Sequence, residues 1–178
     1  MTEGERRFHE YFMRLAMREA EASAAAGEVP CGCVIVQLPA GCLEPGVAKP
    51  RPIEDILEAR VIARGHNQTE LLRDPTAHAE MIAITAAAEA VGDWRLGRVA
   101  VYVTKEPCPM CAGALVWARA AMVVWGLNDL ERGGEGAFGI LSSNRLNHRP
   151  WLLPGILEAE CRAQFTDFFS ERRKENRR

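Results

Sequence analysis

The segment Asp74-Pro75-Thr76-Ala77-His78-Ala79-Glu80, followed by Pro107-Cys108-Pro109-Met110-Cys111, decides how this chain folds and what it can do. The two stretches offer one imidazole and two thiols to a metal, with a carboxylate beside them. Three protein ligands leave a tetrahedral zinc with one open position for water, the mark of a catalytic rather than a structural site. Zinc lowers the pKa of a bound water from about 15.7 to about 7, so that hydroxide is available at neutral pH. Hydrolysis at such a site also needs a group that moves protons between water, substrate and leaving group. Glu80 is the only acid in His78-Ala79-Glu80 and Pro107 to Cys111, and it is the expected catalytic residue.

The spacing gives these residues a common place in the fold. Cys108 and Cys111 stand at i and i+3, so they share one side of a helix. Pro107, just before Cys108, suits a helix start. Thiolates at a helix N-terminus gain from the dipole and the nearby amides. His78 and Glu80, at i and i+2, converge only where a helix begins. Asp74-Pro75-Thr76 provides a turn and a capping residue for such a beginning. Two helix N-termini are therefore expected to point at one zinc. A Cys-x-x-Cys pair alone also suits redox chemistry or half of a structural zinc site. Cys31 and Cys33, which alternate along an apparent strand, are better read as core residues.

Working outward, residues 5–26 show helical spacing through Phe8, Phe12, Leu15, Ala16, Glu19, Ala22 and Ala26, with Gly27 able to end the helix. Strands are expected at 31–37, 60–67, 98–104 and 121–127, the last an apolar run of the buried parallel type. Helices are expected at 77–91, closed by Gly92, and at 108–118. A short strand near 150–153 precedes a C-terminal helix over about 156–174. The alternation predicts an α/β sandwich, one sheet with helices on both faces. The Gly-rich stretch 133–139 lacks the Lys-Ser/Thr of a P-loop and is expected to form a loop at the rim of a site. Residues 38–59, with Pro39, Pro45, Pro50 and Pro52, read as a surface insertion; Ile53, Ile56 and Leu57 suggest a short helix at its end.

The chain has 178 residues, most simply one domain, 1–178, able to bury roughly 70% of its unfolded surface. It has no apolar run long enough to cross a membrane. Met1 to Glu10 is charged and lacks an apolar signal core, so a cytoplasmic protein is expected. In a reducing compartment Cys31, Cys33, Cys42 and Cys161 are expected to remain thiols. A net charge of −2 does not advertise nucleic-acid binding. The tail 172–178 is nevertheless strongly basic, and reads either as a solvated terminus or as a set of phosphate contacts.

The H-x-E…P-C-x-x-C pattern is the established signature of zinc nucleobase deaminases. Beyond it, most of the chain resembles the bacterial tRNA-specific adenosine deaminases of the cytidine deaminase superfamily. The resemblance runs through Gly27-Glu28-Val29-Pro30, Val61 to Asn67, Asp74 to Met81, Trp94-Arg95-Leu96, Val101-Tyr102-Val103-Thr104, Glu106 to Ala114, Asn147-His148 and Gly155-Ile156-Leu157-Glu158. Phe168-Phe169-Ser170-Glu171-Arg172-Arg173 is similar to the family's FF-x-x-RR ending.

This resemblance implies a three-layer α/β/α sandwich with a mixed five-stranded sheet, of the cytidine deaminase type. It implies a homodimer with one zinc per subunit, acting on the wobble adenosine of a tRNA anticodon stem-loop to give inosine. His78, Cys108 and Cys111 would hold the zinc and Glu80 would shuttle protons. Asn67 would hydrogen-bond the flipped base, the backbone amide of Cys108 would stabilise the transition state, and Asp129 would lie near the RNA backbone. An anticodon loop suits such chemistry, because its bases are single-stranded and cheap to splay out. Lys105 stands where the family usually has Leu, and 38–59 replaces a tight hairpin. The alternative is a free-base or nucleoside deaminase of the guanine or cytosine type. A zinc-bearing RNA-binding module without turnover is disfavoured by the intact Glu80.

Overall fold

The computed structural model describes residues 1–39, 41–42 and 55–175. Helix α1 (Glu3–Ala25) begins at a reciprocal cap, in which Thr2 and Glu5 each accept the other's backbone N–H. Its apolar stripe lies on the sheet through Phe8, Phe12, Leu15, Ala16 and Ala20. In the last turns the stripe departs from the sequence expectation, since Ala22 and Ala26 are exposed and Ser23 is buried. The Ser23 hydroxyl donates to the Val29 carbonyl at 2.7 Å and to the Asn67 carbonyl at 3.3 Å, and so takes the inward position.

Strand β1 (Gly32–Gln37) pairs antiparallel with β2 (Arg60–His66) and with β3 (Val99–Lys105). Strands β4 (Met122–Leu127) and β5 (Trp151–Leu153) continue the sheet in parallel with β3. The order β2-β1-β3-β4-β5 makes a mixed five-stranded sheet, as expected. Helix α3 (Ala79–Val91) and helix α4 (Pro109–Trp117) cover one face, where Ala79, Ala83 and Leu115 pack on Ile35, Val101 and Val123. Helix α1 and helix α5 (Glu158–Glu175) cover the other, where Phe8, Phe12 and Cys161 pack on Val34, Tyr102 and Val124. The central strands β1, β3 and β4 thus send alternate side chains into two separate cores. α3 approaches β2 closely at Gly65, where a Cβ would lie 2.4 Å from the Ala79 carbonyl oxygen. Only glycine admits the start of α3 that near the sheet.

A one-turn helix α2 (Thr69–Leu72) was not legible in the sequence. Residues 133–139 form turns, as expected of a loop. Ile56–Glu58 forms a single 3-10 turn capped by Asp55, while Ile53 and most of the 38–59 insertion lie outside the described residues, as does the tail beyond Glu175. Among the described residues no helix is long and apolar enough to cross a membrane.

Candidate active site

The parallel strands β3 and β4 end, and the antiparallel β1 begins, at one edge of the sheet. Open α/β sheets present their ligand sites outside the carboxyl ends of parallel strands. A cleft of about 610 Å³ opens there. Its walls come from Val29 and Cys31 before β1, Asn67 and Thr69 after β2, Lys105 at the end of β3, and Glu106 and Cys108 just beyond it; Asp129, Glu131 and Arg132, after β4, and Phe165 and Phe169 of α5 complete it. His78 and Glu80 line it from the start of α3.

Local helix geometry explains how the donors converge. His78 is the extended N-cap of α3, which places Glu80 at the second helical position. Cys108 is the extended N-cap of α4 and Cys111 its third residue. Pro109, rather than Pro107, occupies the first helical position, where a missing N–H costs nothing. The Asp74 carboxylate closes a turn onto the Thr76 amide at 2.8 Å, one turn ahead of α3, and does not cap it. The His78 side chain makes no cap bond, because its ring is turned to the thiols.

His78 Nδ1 lies 3.6 Å from both Cys108 Sγ and Cys111 Sγ. Zinc–sulfur bonds of about 2.3 Å and a zinc–nitrogen bond of about 2.05 Å at a tetrahedral angle require N···S separations of about 3.55 Å. The three donor atoms, all within 4.8 Å of one another, therefore fit one zinc ion. Electrostatics agree. The hydrogen bond from Cys111, helped by His78, pulls the Cys108 thiol down to about 4. The same contact and burial push Cys111 up, so the two thiols hold one proton between them, with the negative charge on Cys108. Glu80 is 4% exposed, and burial pushes its carboxyl above the usual carboxylate range. A buried acid with a raised pKa beside a metal donor set can accept and return protons near neutral pH.

Asn67 and Asp129, expected to meet substrate, both line the cleft. Asn67 is 5% exposed and donates from Nδ2 to Thr69 Oγ1 at 3.1 Å. Thr69 in turn donates to Glu28 Oε2, and the Leu71 amide donates to Glu28 Oε1 at 2.8 Å. Burial opposes ionisation of Glu28, but the Leu71 and Glu70 amides and the Thr69 and Asn67 side chains outweigh it and hold its pKa low. Asp129 is engaged within the protein. Its carboxylate binds the Lys105 ammonium and accepts the amides of Glu131 and Arg132.

The sequence reading left Glu28, Glu106, Phe165 and Phe169 without roles in the site. Glu106 is 3% exposed, and its carboxylate accepts the amides of Asp129 at 2.7 Å, Glu135 at 3.1 Å and Gly136 at 2.5 Å. A Cβ at Gly133 would stand 2.1 Å from Glu106 Oε1. The Gly-rich stretch is therefore a wrap around a buried carboxylate, and Gly133 and Gly136 are where that carboxylate needs room. The signal available in the sequence was an acid directly after an apolar strand, together with a downstream cluster of glycines. Phe165 and Phe169 reach the cleft from α5, with ring centroids 4.9 Å apart.

This donor set on this sheet defines a zinc-dependent deaminase of the cytidine deaminase type. Residues 51–171 match the MafB19-like deaminase family. The chain is 38% identical over 169 residues to a tRNA-specific adenosine deaminase of Bacillus subtilis (strain 168), covering 94% of this chain and 92% of that protein. A solved structure from work on A-to-I editing by tRNA:A34 deaminases at the wobble position superposes with a TM-score of 0.71 at 35% identity. It covers 86% of this chain and 98% of that one. A guanine deaminase from Nitrosomonas europaea shares the fold, with a TM-score of 0.68 at 18% identity, over 89% of this chain and 83% of that one. The chain belongs to the tRNA-specific adenosine deaminase family.

Proposed function

We propose that the protein converts adenosine to inosine at the wobble position of a tRNA anticodon, releasing ammonia. The observation that carries this is a buried Glu80 beside the His78–Cys108–Cys111 donor set, at the base of a cleft with room for a nucleoside. The similarity to tRNA-specific adenosine deaminases over most of the chain supports the choice of substrate. Zinc, held by His78, Cys108 and Cys111, supplies Lewis acidity that makes a water nucleophilic at neutral pH.

Glu80 takes a proton from the attacking water and delivers it to N1 of the adenine as C6 becomes tetrahedral. It then transfers the second proton to the exocyclic amine, which leaves as ammonia, and is ready to begin again. Asn67, locked by Thr69, hydrogen-bonds the base and sets its plane. The Cys108 amide, at the positive end of α4, offsets the charge that develops on the substrate. Phe165 and Phe169 exclude water from one side of the cleft. A cytoplasmic location is in keeping with a tRNA substrate.

The protein acts as a homodimer in this scheme. Helix α4 carries no charged residue, and Trp117 at its end is 67% exposed, which suits burial against a second copy.

The test is inosine and ammonia formation by the zinc-loaded protein on an anticodon stem-loop with a wobble adenosine, run beside guanine, cytosine and free adenosine. Inosine in the stem-loop, abolished by Glu80→Ala, is the expected result. Turnover of a free base or nucleoside alone would overturn the choice of substrate and leave the zinc chemistry standing.

A further inference from the structure

Lys105 ends β3, three residues before the zinc ligand Cys108, and its side chain is half-buried in the cleft wall. Its ammonium is held from one side by the Asp129 carboxylate and lies 5.9 Å from the centre of the Phe165 ring. An ammonium has three N–H donors, so the contact with Asp129 leaves donors for a further acceptor. Asp129 is better satisfied. One of its oxygens takes the amides of Glu131 and Arg132 and the other takes Lys105, and Glu106 anchors its own backbone N–H.

The charge around the cleft sets the need. Among the described lining residues, three carboxylates besides the proton-carrying Glu80 (Glu106, Asp129 and Glu131) face two cations, Lys105 and Arg132. A nucleotide within a strand brings a phosphodiester on each side, and such a wall repels it unless a cation is placed to meet it.

We propose that Lys105 is a specificity-determining residue that donates to a phosphodiester oxygen next to the nucleotide held in the cleft, with Asp129 as its positioning residue. The proposal rests on the RNA substrate argued above. It assigns Asp129 an indirect part, because its oxygens are already engaged by the protein and a carboxylate cannot donate to phosphate. Asp129 holds the flexible lysine in one orientation, so less freedom is lost when the strand binds.

The experiment measures inosine formation in the anticodon stem-loop by the zinc-loaded wild type, Lys105→Met, Lys105→Arg and Asp129→Asn at several salt concentrations. Removing one phosphate contact from a single-stranded loop should flatten the plot of log kcat/KM against log salt by about 0.7. Lys105→Met is expected to do this and to raise KM about tenfold at low salt, with the loss falling on KM rather than kcat. Lys105→Arg should keep the slope. Asp129→Asn should raise KM and also keep the slope, since the lysine charge remains. An uncharged methylphosphonate at one of the two linkages flanking the target should erase the difference between wild type and Lys105→Met.

An unchanged slope in Lys105→Met overturns the proposal. So does an equal loss in Lys105→Arg, or a lysine effect that survives neutralisation of both linkages in turn. Absence of inosine with the wild type would instead overturn the functional reading itself, so the two failures are distinct.

Discussion

Replacing Glu106 by Gln tests whether a buried carboxylate organises the wall of the cleft. The substitution keeps size and shape but converts one carboxylate oxygen into an NH2 group. In the native protein three backbone amides converge on that carboxylate, from Asp129, Glu135 and Gly136. A glutamine oxygen can keep some of them, but its NH2 then faces at least one N–H donor. Leaving one buried donor unmatched costs about 1–3 kcal/mol, and turning the remaining charge-assisted bonds into neutral ones weakens them further. A total of about 3 kcal/mol follows, which for a chain of this size lowers Tm by roughly 6–12 °C. Calorimetric melting of wild type and Glu106→Gln, with zinc content measured on the same samples, reads this directly. Activity on the stem-loop should fall chiefly through KM, because Asp129, Glu131 and Arg132 lose their fixed placement while His78, Cys108 and Cys111 do not. Gly133→Ala should cause a similar loss by forcing a methyl group against the carboxylate. A Glu106→Gln protein melting within about 2 °C of wild type would refute the reasoning, since so many lost contacts cannot be silent.

Three further outcomes follow from the site and the core. Glu80→Ala is expected to retain zinc by metal analysis and to lose turnover by at least about 10²-fold, the usual contribution of a positioned proton-transfer group. His78→Ala and Cys108→Ala should lose both metal and activity, and chelator-treated wild type should regain activity when zinc returns; activity that survives complete zinc removal would contradict this. His9 concerns stability rather than catalysis. It is 9% exposed, bonded through Nδ1 to the Tyr102 hydroxyl at 2.9 Å, and burial lowers its pKa to about 4 despite the nearby Glu5. The folded pKa lies below the unfolded value of about 6.5, so the unfolded state binds the proton more readily between them. Stability from the neutral ring is present above about pH 6.5 and is lost as pH falls toward about 4. Urea unfolding at about pH 7.5 and about pH 5 should therefore show a drop in stability that is about 2 kcal/mol smaller in His9→Gln than in wild type. An equal drop in both proteins would count against a buried neutral imidazole.

The donor set and the order of elements were legible in the sequence. His78, Glu80, Cys108 and Cys111 sit in two short motifs, and the requirement that i and i+2 converge at a helix start needs no knowledge of distant chain. Periodicity marked α1, while α3 and α4 were marked by the motif spacing, a proline at the start of α4 and the closing αL glycine of α3 at Gly92. Details that depend on competition within a turn went otherwise. Pro109 took the first helical position of α4, and Asp74 bonded Thr76 instead of capping α3. The four residues of α2 are too few for periodicity to detect, and the buried Glu28 holds that segment through the Leu71 amide and Thr69.

By itself, then, the sequence determined the chemistry, because a metal's donors can be named from residue types and short spacings. The tertiary structure alone decided what surrounds that chemistry. Phe165 and Phe169 reach the cleft from a helix far along the chain, and Lys105 meets Asp129 only because β3 and β4 run side by side in parallel. Glu106 and the glycines after Asp129 are brought together by that same pairing. Side-chain period tells which face of a strand a residue occupies, but not which strand lies next to it, and the walls of the cleft depend on that neighbour.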